Sequence, residues 1–169
     1  MVTVYIGGGL ANKMFQYAFS LAIKKKGYGV LYDTHTFKTE FQHDQVTLQS
    51  IFENVEITEN DKVNYIAAGK NSKFFRMWKR IMPWYVSEHA YLYNDKVWKQ
   101  IRKCCYVESS WQDERYFENV EEEVRRAFIF PNFVDSRNMD VQKKMLESNS
   151  VAIHIRKGDG YGTWNIFSN

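Results

Sequence analysis

The start of the chain reads as a strand, a glycine turn, a helix and a second strand. The apolar run at residues 2–6 predicts a buried strand that the three glycines at 7–9 end. Residues 12–26 carry apolar side chains at helical spacing and finish in three lysines, which predicts a largely buried helix. A further apolar run at residues 28–33 predicts the next strand. This order restricts the start of the fold to parallel strands joined by a right-handed helical crossover.

The rest of the chain continues to alternate helix and strand patterns. The alternation predicts an α/β fold with a Rossmann-like, mostly parallel sheet flanked by helices. A length of 169 residues with 44% hydrophobic content suits one such domain and is too short for two, so we predict a single α/β domain over residues 1–169. The further predicted elements are short helices at 47–52 and after Asn94 or Asp95, longer helices at 73–82, 118–128 and 134–149, and strands at 104–109 and 150–155.

Composition excludes several classes of function. The net charge of +3 comes from 23 basic and 20 acidic residues, which does not indicate a nucleic-acid partner. The two cysteines, Cys104 and Cys105, are neighbours, so their spacing fits neither a disulfide framework nor a zinc site, and we expect both to be partly buried. No signal-peptide pattern and no 18-residue apolar run occurs. We therefore expect a soluble, cytoplasmic protein.

The first polar cluster, residues 7–13, follows the first predicted strand. Backbone amides at Gly8 and Gly9 can approach a ligand there, and the helix that follows directs its positive end at an anion. Asn12 replaces the third glycine of the dinucleotide fingerprint, and Met14 follows Lys13 where a P-loop needs Ser or Thr. A tight turn without a ligand is the alternative interpretation of this cluster.

The second polar cluster follows the last predicted strand and contains His154, Arg156, Lys157 and Asp159. The Arg156 guanidinium can bind two phosphate oxygens at once, whereas Lys157 adds only a point charge. In the alternative interpretation Arg156 pairs with Asp159 and His154 is a core residue. Because ligands of open parallel sheets bind beyond the carboxyl ends of the strands, both clusters are candidate parts of one site.

Four blocks of sequence, taken in order, resemble the family 11 glycosyltransferases. They read GGLANKMFQYAFSLAI, YVESSWQDERYF, VRRAFIF and VAIHIRKGD. The family contains the bacterial α-1,2-fucosyltransferases of surface-glycan (O-antigen) biosynthesis. The chain departs from its pattern at Ala11, which replaces a glycine, at Lys13, which replaces a glutamine, and at Lys157, which replaces the second arginine of the His-x-Arg-Arg-x-Asp motif.

The resemblance implies transfer of L-fucose from GDP-fucose to the 2-hydroxyl of a galactoside, with inversion and without a metal or other cofactor. It places Arg156 on the diphosphate, where a fixed cation stabilises the departing nucleotide. His154 and Asp159 are alternative general bases. The residues assigned to the sugar donor are Gly8, Gly9, Asn12, Arg156 and Lys157.

The resemblance also implies a GT-B-type enzyme with two facing domains. This chain then corresponds to the N-terminal, acceptor-side domain, which ends at the His-x-Arg-Lys-x-Asp motif, and the second, donor-binding domain is absent from it. We expect such a chain alone to bind GDP-fucose weakly and to turn it over little or not at all. The alternative is a non-catalytic carbohydrate- or nucleotide-binding domain from a truncated gene.

Three other features have two interpretations each. Trp111 and Gln112 are candidate acceptor-site residues, and Trp111 is equally compatible with the core. The basic and aromatic helix from Lys73 to Met82 packs on the domain or lies on the inner membrane surface, near lipid-linked acceptors. His35 and His43 are predicted to be surface histidines.

Overall fold

Four parallel strands form one sheet in a computed structural model of the chain, which describes residues 1–38, 46–58, 60, 84–88, 92–153 and 155. The sheet order is β2-β1-β4-β3, and each neighbouring pair is parallel. This confirms the predicted α/β class and the Rossmann-like parallel sheet flanked by helices. The strands are β1 (Val2–Tyr5), β2 (Val30–Asp33), β3 (Tyr85–Val86) and β4 (Tyr106–Val107).

The two faces of the sheet differ in chemistry. Val4 of β1 lies beside Tyr32 of β2 and Val107 of β4, and all three are buried in the hydrophobic core. The alternate positions face the other side, because successive side chains of a strand point in opposite directions. On that side Tyr85 stacks on Tyr106, with ring centroids 5.7 Å apart. One face therefore packs in the hydrophobic core, and the other is the polar face of the sheet, on which the Tyr85 and Tyr106 rings stack.

Helix α1 (Leu10–Lys25) connects β1 to β2 and confirms the predicted βαβ unit. It begins at Leu10 rather than at Asn12, and it ends at lysines followed by Gly27, whose φ of +86° suits a glycine. Phe19 and Ile23 enter the hydrophobic core from this helix. No helix in the described ranges is long and apolar enough to cross a membrane.

The remaining described helices are short, and side-chain hydrogen bonds to backbone amides stabilise the start of several of them. The Asn94 side chain accepts a hydrogen bond from the Lys96 amide at 3.1 Å at the start of the next helix. The Asp135 carboxylate accepts from the Asn138 amide at 2.8 Å, and this bond lowers the pKa of Asp135. The helices are α2 (Lys96–Gln100), α3 (Glu121–Ala127) and α4 (Ser136–Leu146), with 3-10 helices at His35–Lys38, Leu48–Ser50, Glu114–Tyr116 and Glu118–Val120.

The chain divides into two compact units, Met1–Pro131 and Asn132–Asn169. The first contains the sheet and the second contains α4. The sequence-based assignment of one domain to residues 1–169, with a second domain absent, stays a prediction. The predicted helix at residues 73–82 and its membrane-surface interpretation lie outside the described residues.

The predicted final strand at residues 150–155 is wrong for the positions described there, since 150–153 and 155 are not in a strand. Val151, Ile153 and Ile155 are 87%, 84% and 75% exposed. Alternating Val and Ile form a strand only where a neighbouring strand accepts and donates backbone hydrogen bonds. The regular element described in this unit is the helix α4, and a helix cannot exchange backbone hydrogen bonds with a strand in this way.

The cysteines differ from each other in exposure. Cys104 is exposed with a φ of +69°, so the expectation of partial burial is wrong for it, while Cys105 is buried and burial raises its pKa. Neither is in a disulfide. The observed strand, Tyr106–Val107, is shorter than the strand predicted at residues 104–109. The positive φ of Cys104 is incompatible with extended backbone, so the strand does not begin at that residue.

Tyr32 is expected to make the fold sensitive to alkaline pH. Its side chain is 3% exposed, and burial raises its pKa to about 12. In the unfolded chain this tyrosine ionises near pH 10, so above that pH unfolding releases a proton and stability falls by about 1.4 kcal/mol per pH unit until the folded pKa is reached. Tyr32→Phe should therefore flatten the decline of unfolding free energy between pH 10 and 12 in urea titrations. Equal slopes for both proteins would contradict this assignment.

Candidate functional site

A cleft of ≈ 480 Å³ opens where the carboxyl ends of β1, β3 and β4 meet the start of α1. This is the edge at which ligands bind in open parallel sheets. The cleft wall combines backbone of the glycine turn with amide, hydroxyl and carboxylate side chains. Its main lining residues are Gly7, Gly8, Asn12, Gln16, Glu88, Glu108, Trp111 and Gln112.

The glycine turn at residues 7–9 fits closely between its neighbours. A Cβ on Gly7 would collide with the Tyr5 hydroxyl, and one on Gly8 would lie 3.2 Å from Asn12 Nδ2. Gly8 also has a φ of +79°, which other residues adopt only with strain. The Gly7 amide donates to Gln16 Oε1 at 2.8 Å. Gly9 has open space at its Cβ position, so the close fit concerns the first two positions of this turn. The assignment of Gly8 and Gly9 to the sugar donor stays a prediction.

Asn12 and Gln112 meet across the cleft wall. Gln112 Nε2 donates a hydrogen bond to Asn12 Oδ1 at 2.8 Å, although the two residues are 100 positions apart. Asn12 was predicted from the first polar cluster and Gln112 as an acceptor-site candidate. The fold therefore brings together two sequence-predicted residues from separate blocks.

Trp111 is both a core residue and part of the cleft wall. It is 2% exposed, and its ring stacks on Phe19 at 4.2 Å and meets Tyr116 edge-on at 5.4 Å. Its φ of +51° is unusual for a bulky side chain. Its indole Nε1 is buried and has no hydrogen-bond partner within the described part of the chain. The core interpretation of Trp111 thus describes its packing, while a contact with a sugar acceptor stays a prediction.

Two carboxylates of the cleft were missed from the sequence. Tyr85 donates to Glu108 Oε2 at 2.6 Å, and Asn94 Nδ2 donates to Glu88 Oε2 at 2.7 Å. Burial, followed by the hydrogen bond to Glu108, raises the pKa of Tyr85 well above its usual value. Glu88 and Glu108 are far apart in sequence and share the cleft because β3 pairs with β4. The sequence offered no signal for Glu88, because β3 was not predicted, and Glu108 lay inside the strand predicted at residues 104–109.

A separate group of polar side chains, formed by Asp33, His35 and Tyr106, lies at the carboxyl end of β2. The fully buried Asp33 carboxylate accepts from His35 Nδ1 at 2.7 Å and from the Tyr106 hydroxyl. Burial, followed by the charge of Asp33, raises the pKa of Tyr106 far above its ordinary range. The His35 side chain is only 10% exposed, so the prediction of a surface histidine is wrong at this position. His43 lies outside the described residues.

Lys13 is not among the residues that line the cleft. It is fully buried, its Nζ donates to the Val46 carbonyl at 2.7 Å, and it lies 4.7 Å from the centre of the Phe37 ring. The side chain therefore connects α1 to the segments that follow β2. This placement explains why a lysine after the glycine turn does not by itself indicate a phosphate site.

The C-terminal motif is not part of the described structure. The residues concerned are His154, Arg156, Lys157 and Asp159. Their roles in catalysis and in binding the sugar donor stay predictions. Within the described ranges, no group of three or more His, Cys, Asp or Glu side chains is arranged to hold a metal ion.

Comparison with known proteins gives one informative similarity. No family model matches the chain, and no solved structure matches it. An α-1,2-colitosyltransferase from Escherichia coli is 28% identical over 171 aligned positions, which cover 94% of this chain and 55% of that protein. The chain thus spans about half the length of this relative. Over nearly its whole length, the chain is similar to a glycosyltransferase.

Proposed function

We propose that the chain forms part of a glycosyltransferase and that its cleft binds the acceptor sugar. The observation that carries this proposal is the hydrogen bond between Asn12 and Gln112. It joins two of the blocks that resemble family 11 glycosyltransferases within one cleft, at the edge of the sheet where such folds bind ligands. The similarity to a colitosyltransferase supports the same class of reaction.

The transferred sugar is proposed to be L-fucose, moved from GDP-fucose to the 2-hydroxyl of a galactoside with inversion. The sequence resemblance supports this choice. Colitose, from a nucleotide-activated donor, is the second candidate, because the similar Escherichia coli protein is named for it. In both cases the transfer is proposed to need no metal.

The cleft chemistry suits a neutral sugar. Glu88 and Glu108 line it, and no lysine or arginine does so among the residues that the structure describes. Carboxylates accept hydrogen bonds from sugar hydroxyls, and such charge-assisted bonds are stronger than those between neutral groups. The diphosphate of the donor needs cations, and we propose Arg156 and Lys157 for that role, as the resemblance implies.

In the proposed reaction the acceptor hydroxyl oxygen forms a bond to the anomeric carbon while the bond from that carbon to the diphosphate oxygen breaks. The hydroxyl proton passes to a general base, and the electron pair of the broken bond leaves with the nucleotide. His154 and Asp159 are the bases proposed from the sequence. Glu108 is a third candidate, since it lines the cleft beside the glycine turn.

Glu108→Gln tests whether the cleft binds the acceptor sugar. Loss of a charged hydrogen-bond acceptor should weaken binding of methyl β-galactoside about tenfold in ligand-observed NMR titrations. Glu114→Gln makes the same change of charge at an exposed position outside the cleft and should leave the affinity unchanged. Equal affinities for the two variants would contradict the placement of the acceptor.

Transfer itself is tested by incubating the protein with methyl β-galactoside and either GDP-fucose or nucleotide-activated colitose. Mass spectrometry of the products identifies the sugar that moves. A product from either donor would exclude the alternative of a non-catalytic binding domain, and it would contradict the expectation that this chain alone turns over little or no donor. Absence of binding by the galactoside, by GDP and by both donors would overturn the proposed function.

A further inference from the structure

We propose that Gln112 is a positioning residue, which orients the Asn12 side-chain amide so that Nδ2 donates a hydrogen bond to an oxygen atom of the ligand in the cleft. The oxygen belongs to a sugar hydroxyl or to a phosphate group, which share this chemistry. The inference rests on the proposed function for the identity of the ligand. It differs from the sequence-based prediction, in which Gln112 contacts the acceptor directly.

The orientation of Asn12 follows from its hydrogen bond. Asn12 accepts through Oδ1 from Gln112 Nε2 at 2.8 Å, so the two donor hydrogens of its amide remain on Nδ2. Nothing in the described ranges accepts a hydrogen bond from Nδ2. Asn12 lines the cleft beside Gly8, where a Cβ would come within 3.2 Å of Nδ2. Glycine at this position therefore leaves the amide accessible to a ligand.

The backbone of Gln112 is held from both sides, although its side chain is exposed. On one side Trp111 keeps its positive φ because its ring is packed against Phe19. On the other side the Asp113 carboxylate accepts hydrogen bonds from the Tyr93 amide at 3.0 Å and from Arg115 Nη2 at 2.7 Å. These two anchors place the Gln112 side chain where it reaches α1. A strained residue that the surrounding packing maintains is a common feature of binding sites.

The positioning role and a direct ligand contact predict different results in a double-mutant cycle. If Gln112 acts through Asn12, then Gln112→Ala has no further effect on affinity once Asn12 is alanine. If Gln112 contacts the ligand itself, its removal weakens binding by the same factor in both backgrounds. The cycle therefore separates the two roles without a structure of the complex.

The experiment uses the full chain with Gln112→Ala, Asn12→Ala, the double variant and the wild type. Methyl β-galactoside and GDP are the two probes, and their affinities are measured by NMR titration. We expect Gln112→Ala to weaken binding of one probe about twofold to tenfold, and the double variant to bind no more weakly than Asn12→Ala. The probe that responds identifies the oxygen as hydroxyl or phosphate. Independent, multiplying effects of the two substitutions would overturn the proposal.

A readout without ligand keeps the proposal testable if one variant does not fold. Gln112→Glu keeps the size of the side chain but replaces the donating amide by a carboxylate, so Asn12 should turn its amide around to donate through Nδ2. The NMR signals of the Asn12 amide hydrogens should then shift in the free protein. Asn12→Asp keeps the acceptor for Gln112 but lacks the donor, so it should fold normally and lose affinity for the responding probe.

The outcomes for function and for positioning are distinguishable. If neither probe binds the wild-type chain, the proposed function fails, and the Asn12 amide signals still decide whether Gln112 holds that side chain. If the signals of Asn12 are the same in wild type and Gln112→Glu, the positioning role is wrong even when a probe binds. Thermal unfolding of each variant confirms that the comparison is made between folded proteins.

Discussion

Trp111→Ala is expected to lower the free energy of unfolding by about 3–5 kcal/mol, the range for removing a large aromatic side chain from a core. The ring is 2% exposed, stacks on Phe19 and meets Tyr116 edge-on. These contacts connect α1 to the loop after β4, so their loss should also release Gln112 from Asn12. Urea unfolding monitored by circular dichroism measures the change.

Two further variants test the physical basis of this expectation. Trp98→Ala removes a half-buried ring that also contacts Phe19, with centroids 5.1 Å apart, and should cost clearly less than Trp111→Ala. Trp111→Gly should be more stable than Trp111→Ala by about 1 kcal/mol, because the φ of +51° penalises a Cβ. Equal losses for Trp98 and Trp111, or alanine more stable than glycine at position 111, would contradict this description.

Asp33→Ala is expected to destabilise the fold by about 3–5 kcal/mol, as when one partner of a buried polar cluster is removed. The fully buried carboxylate accepts hydrogen bonds from the His35 amide at 3.1 Å, from His35 Nδ1 at 2.7 Å and from the Tyr106 hydroxyl. Removal of the carboxylate deprives the two His35 donors and the Tyr106 hydroxyl of this acceptor. Urea unfolding of Asp33→Ala, compared with Asp95→Ala at an exposed carboxylate, measures the loss.

Asp33→Asn separates the charge of this residue from its size. The asparagine amide keeps one oxygen that accepts a hydrogen bond but lacks the charge, so Asp33→Asn should destabilise the fold less than Asp33→Ala does. Urea unfolding of both variants measures the difference. Equal losses of stability for Asp33→Ala and Asp95→Ala would show that the cluster does not act as described.

The elements that the sequence predicted correctly are those whose pattern is local. The βαβ unit follows from the spacing of apolar residues around α1 and from the glycines before it, and α4 lies within the helix predicted at residues 134–149. Strand β3 has two residues and exists through its pairing with β4, so no periodicity could indicate it. The predicted strand at residues 150–155 had the pattern of a strand without a described partner.

The site was predictable in part for the same reason. Gly8 and Asn12 follow a recognisable strand, and the glycine turn indicated their position at its end. The contact of Asn12 with Gln112 depends on how the loop after β4 returns to α1, which one sequence does not encode locally. His35 looked like a surface residue because its only signal was the polar stretch around it. Its burial depends on Asp33, which the alternation of β2 places on the polar face of the sheet.

The central claim is that the cleft at the ends of β1, β3 and β4 binds the sugar on which a glycosyltransferase acts. The most direct test is an NMR titration of the isotope-labelled protein with methyl β-galactoside. We expect shifts of the side-chain amide signals of Asn12 and Gln112 and of the Trp111 indole N–H, which all belong to the cleft wall. Saturating shifts confined to residues outside the cleft, such as those of α4, or no shifts at all, would contradict the claim.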